Sequence, residues 1–375
     1  MSPLPDSKSP NLHLTHPTRQ ERIATWDLNF ASWGGFLSQA GYIEREQYLM
    51  TVPLAKDGGV THWILVDKNL LPNERPIYGS CESVRKRALI ADKSGHVTEG
   101  ITHGIGSVFS NPAYRGKGYA SRMMQELGKM LRTWQATTKE CHFTVLWSDI
   151  GKQYYARHGW HAFPSTHIEF PAGSDYKITA AQPLFSENIG RLCALDEAML
   201  RKTLPGAQNG KLHVAIIPDL DQMQWHHMRE DFLCDKMFQK RPKIRGAILG
   251  EAGHRMWAIW TRSFYGPLKP ESGNALHILR LVIEDETHTA DPAAQAENLK
   301  AILEVARSQA AEWKLLHVEL WNPSPLVQDL VGRTGLKHGK VERDKESISS
   351  LMWYGEGSGK EDEIEWVGNE KFGWC

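Results

Sequence analysis

The chain has 375 residues, more than one ordinary domain holds, and its 41% hydrophobic content with 14 tryptophans can fill two sizeable cores. Basic and acidic residues balance at 44 each, which argues against a general nucleic-acid or membrane-surface role, where a basic excess is expected. Five scattered cysteines (Cys81, Cys141, Cys193, Cys234, Cys375) form no CxxC pair, so the pattern predicts reduced thiols and no zinc knuckle. The N-terminus lacks an apolar signal core and no run is long enough to cross a bilayer, so the expectation is a cytoplasmic protein without a membrane partner.

Along the chain, "PTRQERIATWDLNFASWGGFL" predicts a helix, with Ile23, Trp26, Leu28 and Phe30 as apolar positions. Strands are predicted at 62–68, 76–84, 87–93 and 102–110, separated by turn chemistry such as "KDGG" and "DKSGH". A helix follows in which Ala120, Met123, Met124, Leu127, Met130, Leu131 and Trp134 recur at three- and four-residue steps. Then come the strand "CHFTVLWSD" and a short helical segment "IGKQYYARHGW". The pattern weakens in "PSTHIEFPAGSDY", where we place a boundary between residues 1–175 and 176–375.

The second half repeats the order of the first. The strand "LHILRLVIED" precedes a helix carrying Leu299, Ile302, Leu303, Ala306, Ala310 and Trp313, and "LHVELWNPS" and "LVQDLVGRTGLKH" follow. "FTVLWSD…YYARHGW" and "HVELWNPS…LVGRTGL" share a strand, Leu-Trp, a short helix and a basic-x-Gly-apolar ending, which predicts a duplicated architecture. The junction "IEDETHTADPAAQAENL" in the second copy contains no glycine. The tail "GEGSGKEDEIEWVGNEKFGWC" is acidic and then aromatic, and is expected to pack back onto the body.

"SNPAYRGKGYASRMMQELGKML" (110–131) sets two glycines and two bases immediately before the amphipathic helix. A helix N-terminus exposes unpaired amides and partial positive charge, and glycines let a phosphate approach them. Arg115 and Lys117 add formal charge. The stretch fits neither the P-loop pattern nor GxGxxG, but it fits Arg/Gln-x-x-Gly-x-Gly/Ala as Arg115-Gly116-Lys117-Gly118-Tyr119-Ala120.

With this loop the sequence resembles the GNAT superfamily of acyl-CoA-dependent N-acyltransferases, whose loop of this form holds the coenzyme A pyrophosphate. The superfamily's Tyr-x-x-x-Gly-Phe segment has its counterpart in Tyr155-Ala-Arg-His-Gly159-Trp160, after the next strand. A narrower resemblance runs through "HPTRQERIATW", "HGIGSVFSNPAYRGKGYASRMM", "LHILRLVIE", "SLMWYGEGSG" and "NEKFGWC", and is to the fungal lysine N6-acetyltransferase family, implicated in lysine breakdown. It implies an α+β protein of two GNAT-like domains, each a mixed, mostly antiparallel sheet flanked by helices, the second lacking the pyrophosphate loop. It also implies acetyl-CoA as co-substrate, no metal, and transfer to the ε-amine of free L-lysine by direct attack in a ternary complex. A polyamine, another amino acid or a protein lysine are alternative acceptors, and a non-catalytic acetyl-CoA sensor is the alternative outside enzymes. Where the superfamily often has Asn ahead of the Tyr helix, this chain has Ser148-Asp149.

A lysine amine with a pKa near 10.4 costs about 4–5 kcal/mol to hold neutral at pH 7, so a base is needed. Glu82 in "SCESVRKR" is the first candidate, with Glu99 and His103 as alternatives and an ion pair with Arg85 or Lys86 as the competing structural role. By its place in the motif, Tyr155 supplies a proton or a strong hydrogen bond to the leaving thiolate. The resemblance implies that Val108, Phe109 and Ser110 hold the acetyl and pantetheine portions. "QWHHMRED" is expected to be an ordinary helix and "RKR" (85–87) a solvated face.

Overall fold

The computed structural model describes residues 4–173, 179–206, 210–284 and 291–374. The first half runs β1 (Leu12–Thr15), α1 (Arg19–Trp33), α2 (Gln39–Leu49), β2 (Val60–Asp67), β3 (Gly79–Ala91) and β4 (Val97–Ser110). It continues through α3 (Tyr119–Leu131), β5 (Cys141–Ser148), α4 (Gln153–Ala156), β6 (His161–Ala162) and β7 (Thr166–Pro171). The second half contains β8 (Gln182–Leu184), α5 (Ser186–Thr203), β9 (Leu212–Ile216), α6 (Leu220–Phe238), β10 (Gly246–Leu249) and β11 (Met256–Ser263). After these come β12 (Ala275–Ile283), α7 (Pro292–Glu312), β13 (His317–Trp321), α8 (Pro325–Arg333), β14 (Gly339–Glu342), β15 (Ile348–Trp353) and β16 (Ile364–Trp366).

Local chemistry sets many of the boundaries. Thr18 caps α1 by accepting from the Glu21 amide while Glu21 reaches back to the Thr18 amide, so the helix starts two residues later than its pattern. The segments 76–84 and 87–93, expected as two strands, form the single strand β3, whose ladder with β4 runs unbroken through Arg85↔His103 and Lys86↔Thr102. Its charges are accommodated rather than turned out: Lys86 is buried against Gln222 and Arg87 pairs with Glu197, which leaves Arg85 alone of the "RKR" run exposed. The polar segment read as a boundary contains β7, where Ile168 and Phe170 are buried on one face of a strand.

The first sheet has the order β1-β2-β3-β4-β5-β15-β6, with β9 and then β16 added beside β3. The second has the order β14-β7-β13-β12-β11-β10-β8. Both are mostly antiparallel; the parallel pairs β4–β5 and β12–β13 stand at corresponding places, and β16 adds to β9 in parallel. β5 and α4 thus correspond to β13 and α8, so the sequence echo falls on equivalent elements. The halves also trade a strand. β7 leaves the first half to lie between β13 and β14, and β15 leaves the second to lie between β5 and β6. The expected division at 175/176 lies outside the described residues, and each sheet draws strands from both sides of it.

The three largest cores among the described residues hold this arrangement. Met123, Met124, Leu127 and Leu131 of α3 are buried with Trp63 and Trp160, and Leu299, Ile302, Leu303 and Ala306 of α7 are buried with Trp260 and Phe170. The third joins the sheets, setting Phe143, Val145 and Leu351 with Trp257, Ile259, Leu279 and Phe372. The tail packs back as expected: β16 pairs with β9, Phe372 is buried, and Cys375 lies outside the described residues. Among the described residues no helix is long and apolar enough to cross a membrane. The four described cysteines are buried free thiols.

Candidate active site

Gly118 begins α3 in the left-handed conformation at φ 83°, and Gly116 precedes it at φ 75°. Backbone conformation is what requires glycine at both, since side chains there are strained. A Cβ on Gly116 would meet nothing within 4 Å, whereas one on Gly118 would meet Ser7 Oγ at 2.9 Å. Side chains of Thr18, Ser38, Asp219, Asp291 and Ser324 cap α1, α2, α6, α7 and α8, but no side chain caps α3. Its first amides are thus left for an anion, with the exposed Arg115 and Lys117 beside them. Arg115 Nε donates to the Ser110 carbonyl at 3.3 Å and its guanidinium lies over the Phe109 ring. The Tyr119 ring, by contrast, is buried against Tyr78 and its hydroxyl donates to the Pro5 carbonyl at 2.6 Å, so only its backbone faces the loop's task. Ala120 follows it as the second residue of α3 and is half-buried. This loop suits the pyrophosphate of a coenzyme A thioester.

β4 and β5 pair only as far as Ile105↔Leu146 and then diverge. A bulge opens β4 against β3 between Ser80 and Glu82, and Ser107 takes φ 51° there. The divergence opens a cavity of about 300 Å³. Its sheet wall includes Glu82, Gly106, Ser107, Val108 and Trp147, with Tyr155 of α4 beside them. Tyr42, Arg45 and Glu46 of α2, Trp225 and Arg229 of α6, and Trp374 of the tail close the other side. Val108 lines the cavity, while Phe109, buried against Trp33, and Ser110 continue the strand toward the α3 loop.

Glu82 and Tyr155 therefore face one space. Burial raises the energy of the Glu82 carboxylate, but His62 Nε2 at 3.2 Å and the Ser107 hydroxyl at 3.2 Å outweigh it, holding the carboxyl below its usual range. Its partners are thus His62 and Ser107 rather than Arg85 or Lys86. Burial, with Tyr154 next to it, pushes the Tyr155 phenol well above its ordinary value, so Tyr155 is a neutral donor at any physiological pH. Asp149 lines the cavity and accepts the Ser347 amide at 2.9 Å, and Ser148 Oγ donates to the Gly151 carbonyl at 2.7 Å. The two alternative bases lie elsewhere. Glu99 pairs with Arg87, Lys139 and Arg201, and His103 is buried at 3.1 Å from the Trp134 carbonyl, its pKa pushed down to about 4 mainly by burial.

Sequence reasoning passed over α2 and the cavity face of α6. In "QWHHMRED" it attended to the histidines, which are structural: His226 Nε2 is 3.0 Å from the Phe372 carbonyl and His227 Nε2 is 3.1 Å from the Trp260 carbonyl. The signal present was the four-residue spacing of Trp225 and Arg229, which puts both on one helix face. Away from this site, ligand atoms of His167, Glu169 and Glu319 lie within 4.8 Å of one another. Those of Glu319 are engaged by His317 at 2.9 Å and Trp321 at 2.8 Å, and His167 is engaged by Glu169 at 3.0 Å, so a hydrogen-bonded network accounts for the cluster.

A splayed mixed sheet, a bulged β4, an uncapped glycine loop before α3 and a tyrosine after β5 define a GNAT acyltransferase. Residues 38–160 match the acetyltransferase (GNAT) family, and residues 167–375 match the LYC1 GNAT-like C-terminal domain. The chain belongs to the family defined by that C-terminal domain, and is an N-acetyltransferase of the GNAT type. It is 23% identical over 400 aligned positions to a lysine acetyltransferase of Yarrowia lipolytica, covering 94% of this chain and 96% of the relative. An uncharacterized protein of Saccharomyces cerevisiae is 24% identical over 398 positions, covering 92% and 93%. Among solved structures, a conserved protein of Enterococcus faecalis described as a probable N-acyltransferase superposes with a TM-score of 0.53 at 12% identity. A GCN5-related N-acetyltransferase of Anabaena variabilis gives 0.51 at 13%. Each alignment covers 91% of this chain and 72% of the other, and shows the shared fold.

Proposed function

We propose that the protein transfers the acetyl group of acetyl-CoA to the ε-amine of free L-lysine, by direct attack in a ternary complex. The observation that carries this reading is the walled cavity of about 300 Å³ beside Tyr155, since a protein lysine would need an open groove across the sheet and here α2, α6 and Trp374 close it. Lysine itself is suggested by the name of the Yarrowia relative. In this reading residues 1–175 carry the acetyl-CoA site and residues 176–375 contribute the far wall of the acceptor cavity.

The loop amides from Gly116 to Ala120, with Arg115 and Lys117, hold the pyrophosphate, and backbone groups of Val108, Phe109 and Ser110 hold pantetheine and the acetyl oxygen. Glu82 accepts a proton from the acceptor ammonium, directly or through one water, and the neutral amine attacks the thioester carbonyl. The amine nitrogen gains the acyl carbon as the carbon–sulfur bond breaks, and the second proton of that nitrogen passes to the departing thiolate, directly or through water, to leave the amide and the CoA thiol. Tyr155 donates a hydrogen bond to the departing thiolate. It does not give up its proton, because a phenol held above about 10 is a weaker acid than a thiol near 8.5.

The test is thiol release from acetyl-CoA with L-lysine, ornithine, spermidine or a lysine-containing peptide as separate acceptors. Release with L-lysine, with mass spectrometry placing the acetyl on Nε, is expected. Release with peptide or polyamine alone would overturn the acceptor, and acetyl-CoA binding without release would favour a sensor.

A further inference from the structure

Arg229 faces the acceptor cavity from α6, and no hydrogen bond or ion pair joins its guanidinium to any other described residue. Its neighbour in the cavity, Arg45, is satisfied: it pairs with Glu46 at 2.5 Å and donates to the Trp33 carbonyl at 3.3 Å. Arg229 has the Trp374 ring, 6.0 Å from its centre, and the Glu46 carboxylate of the same cavity attracts it from beyond ion-pair distance. Burial and the like charge of Arg45 press its pKa down to about 10, outweighing the attraction of Tyr265, Glu46 and Tyr42, the direction expected of a cation without a paired counter-ion. A cation left unpaired inside a walled cavity is expensive unless a ligand completes it.

The position is built. Next to it on α6, Glu230 is fully buried and holds both the amide and the guanidinium of Arg262 at 2.7 Å, and it pairs with Arg245 as well. This locks α6 to β11. Trp225, one turn earlier, flattens the same helix face against the cavity.

An Arg fork fits a carboxylate or a phosphate, two oxygens to two N–H groups. The α3 loop that suits the cofactor's phosphates contributes no residue to this cavity, so the anion due here belongs to the acceptor. Glu82 of β3 and Tyr155 of α4 line one side, and Arg229 comes from the second half opposite. Resting on the small-acceptor reading above, we propose that Arg229 binds the α-carboxylate of a free amino acid, so that the second half of the chain selects acceptors carrying a carboxylate distal to the acetylated amine.

The full-length enzyme, Arg229→Met and Arg229→Lys are compared on L-lysine and L-lysinamide, which keeps both amines and loses only the charge. The wild type is expected to prefer L-lysine by about 30-fold or more in kcat/KM, the range for a desolvated charge pair. Arg229→Met should bring the two acceptors within a few-fold through a raised KM for L-lysine. Arg229→Lys should keep part of the preference, as a point charge without the fork. Acetyl-CoA affinity by calorimetry, expected within twofold of wild type in both variants, verifies folding and separates an acceptor role from a cofactor role. Equal use of lysinamide by the wild type, an undiminished preference in Arg229→Met, or weakened acetyl-CoA binding would each overturn the assignment. If the wild type acetylates L-lysine and Arg229→Met keeps the preference, only the carboxylate site falls. Activity confined to peptides would remove both this inference and the free-lysine reading.

Discussion

Tyr155 and Glu82 differ in which protonation state their surroundings favour. Burial keeps the phenol protonated and therefore a donor, while His62 and Ser107 keep the carboxylate ionised and therefore an acceptor. Measured as pH–rate profiles, Glu82→Gln should lower kcat by about 10²- to 10⁴-fold, the usual worth of a general base. Its loss should shrink as pH rises toward the amine's own pKa near 10.4, because the medium then supplies the neutral amine. Tyr155→Phe should instead lower kcat by a similar factor at every pH through the neutral range, with acetyl-CoA affinity kept. A Glu82→Gln deficit that stays constant with pH would show that Glu82 does not take the proton. Tyr155 was readable from its motif spacing. Arg229 was not, because an arginine facing a cavity and one facing solvent read alike until α6 is seated against α2 and the tail.

At the scale of elements, the loop before α3 holds the cofactor through its backbone in the proposed function. Gly118→Asp would force a side chain into φ 83°, press a Cβ on Ser7, and add a carboxylate at a helix end lacking a side-chain cap. We expect acetyl-CoA affinity to fall by tenfold or more in calorimetry, and unchanged affinity would remove the loop from the cofactor site. The amphipathic period of α3 revealed both the helix and its buried face, because spacing alone decides which residues share a face. β7 escaped the same kind of reading. Its partner β13 lies some 150 residues away, and a short strand flanked by prolines has no local signature apart from that pairing.

For the whole molecule, the exchange of β7 and β15 binds the halves together. Separating them would expose Phe143, Val145, Leu351, Trp257, Ile259 and Leu279, all buried in the shared core. At about 1.5–3 kcal/mol per side chain this is on the order of 10 kcal/mol, comparable to the stability of an entire domain. Residues 1–175 and 176–375 expressed separately should therefore be insoluble or unfolded by circular dichroism, and the full chain should unfold in one calorimetric transition. Two resolved transitions, or a folded isolated half, would mean that the exchange contributes little.

By itself the sequence determined the duplicated order of elements and the glycine loop before an amphipathic helix, because these reside in local spacing and backbone chemistry, and its resemblance to the GNAT superfamily carried the α+β class. Only the tertiary structure decided which half owns each strand, that His62 and Ser107 partner Glu82, and that α2, α6 and Trp374 wall the cavity beside Tyr155. Those are contacts between segments far apart in the chain, and residue spacing carries no record of a neighbour that arrives only when the sheets assemble.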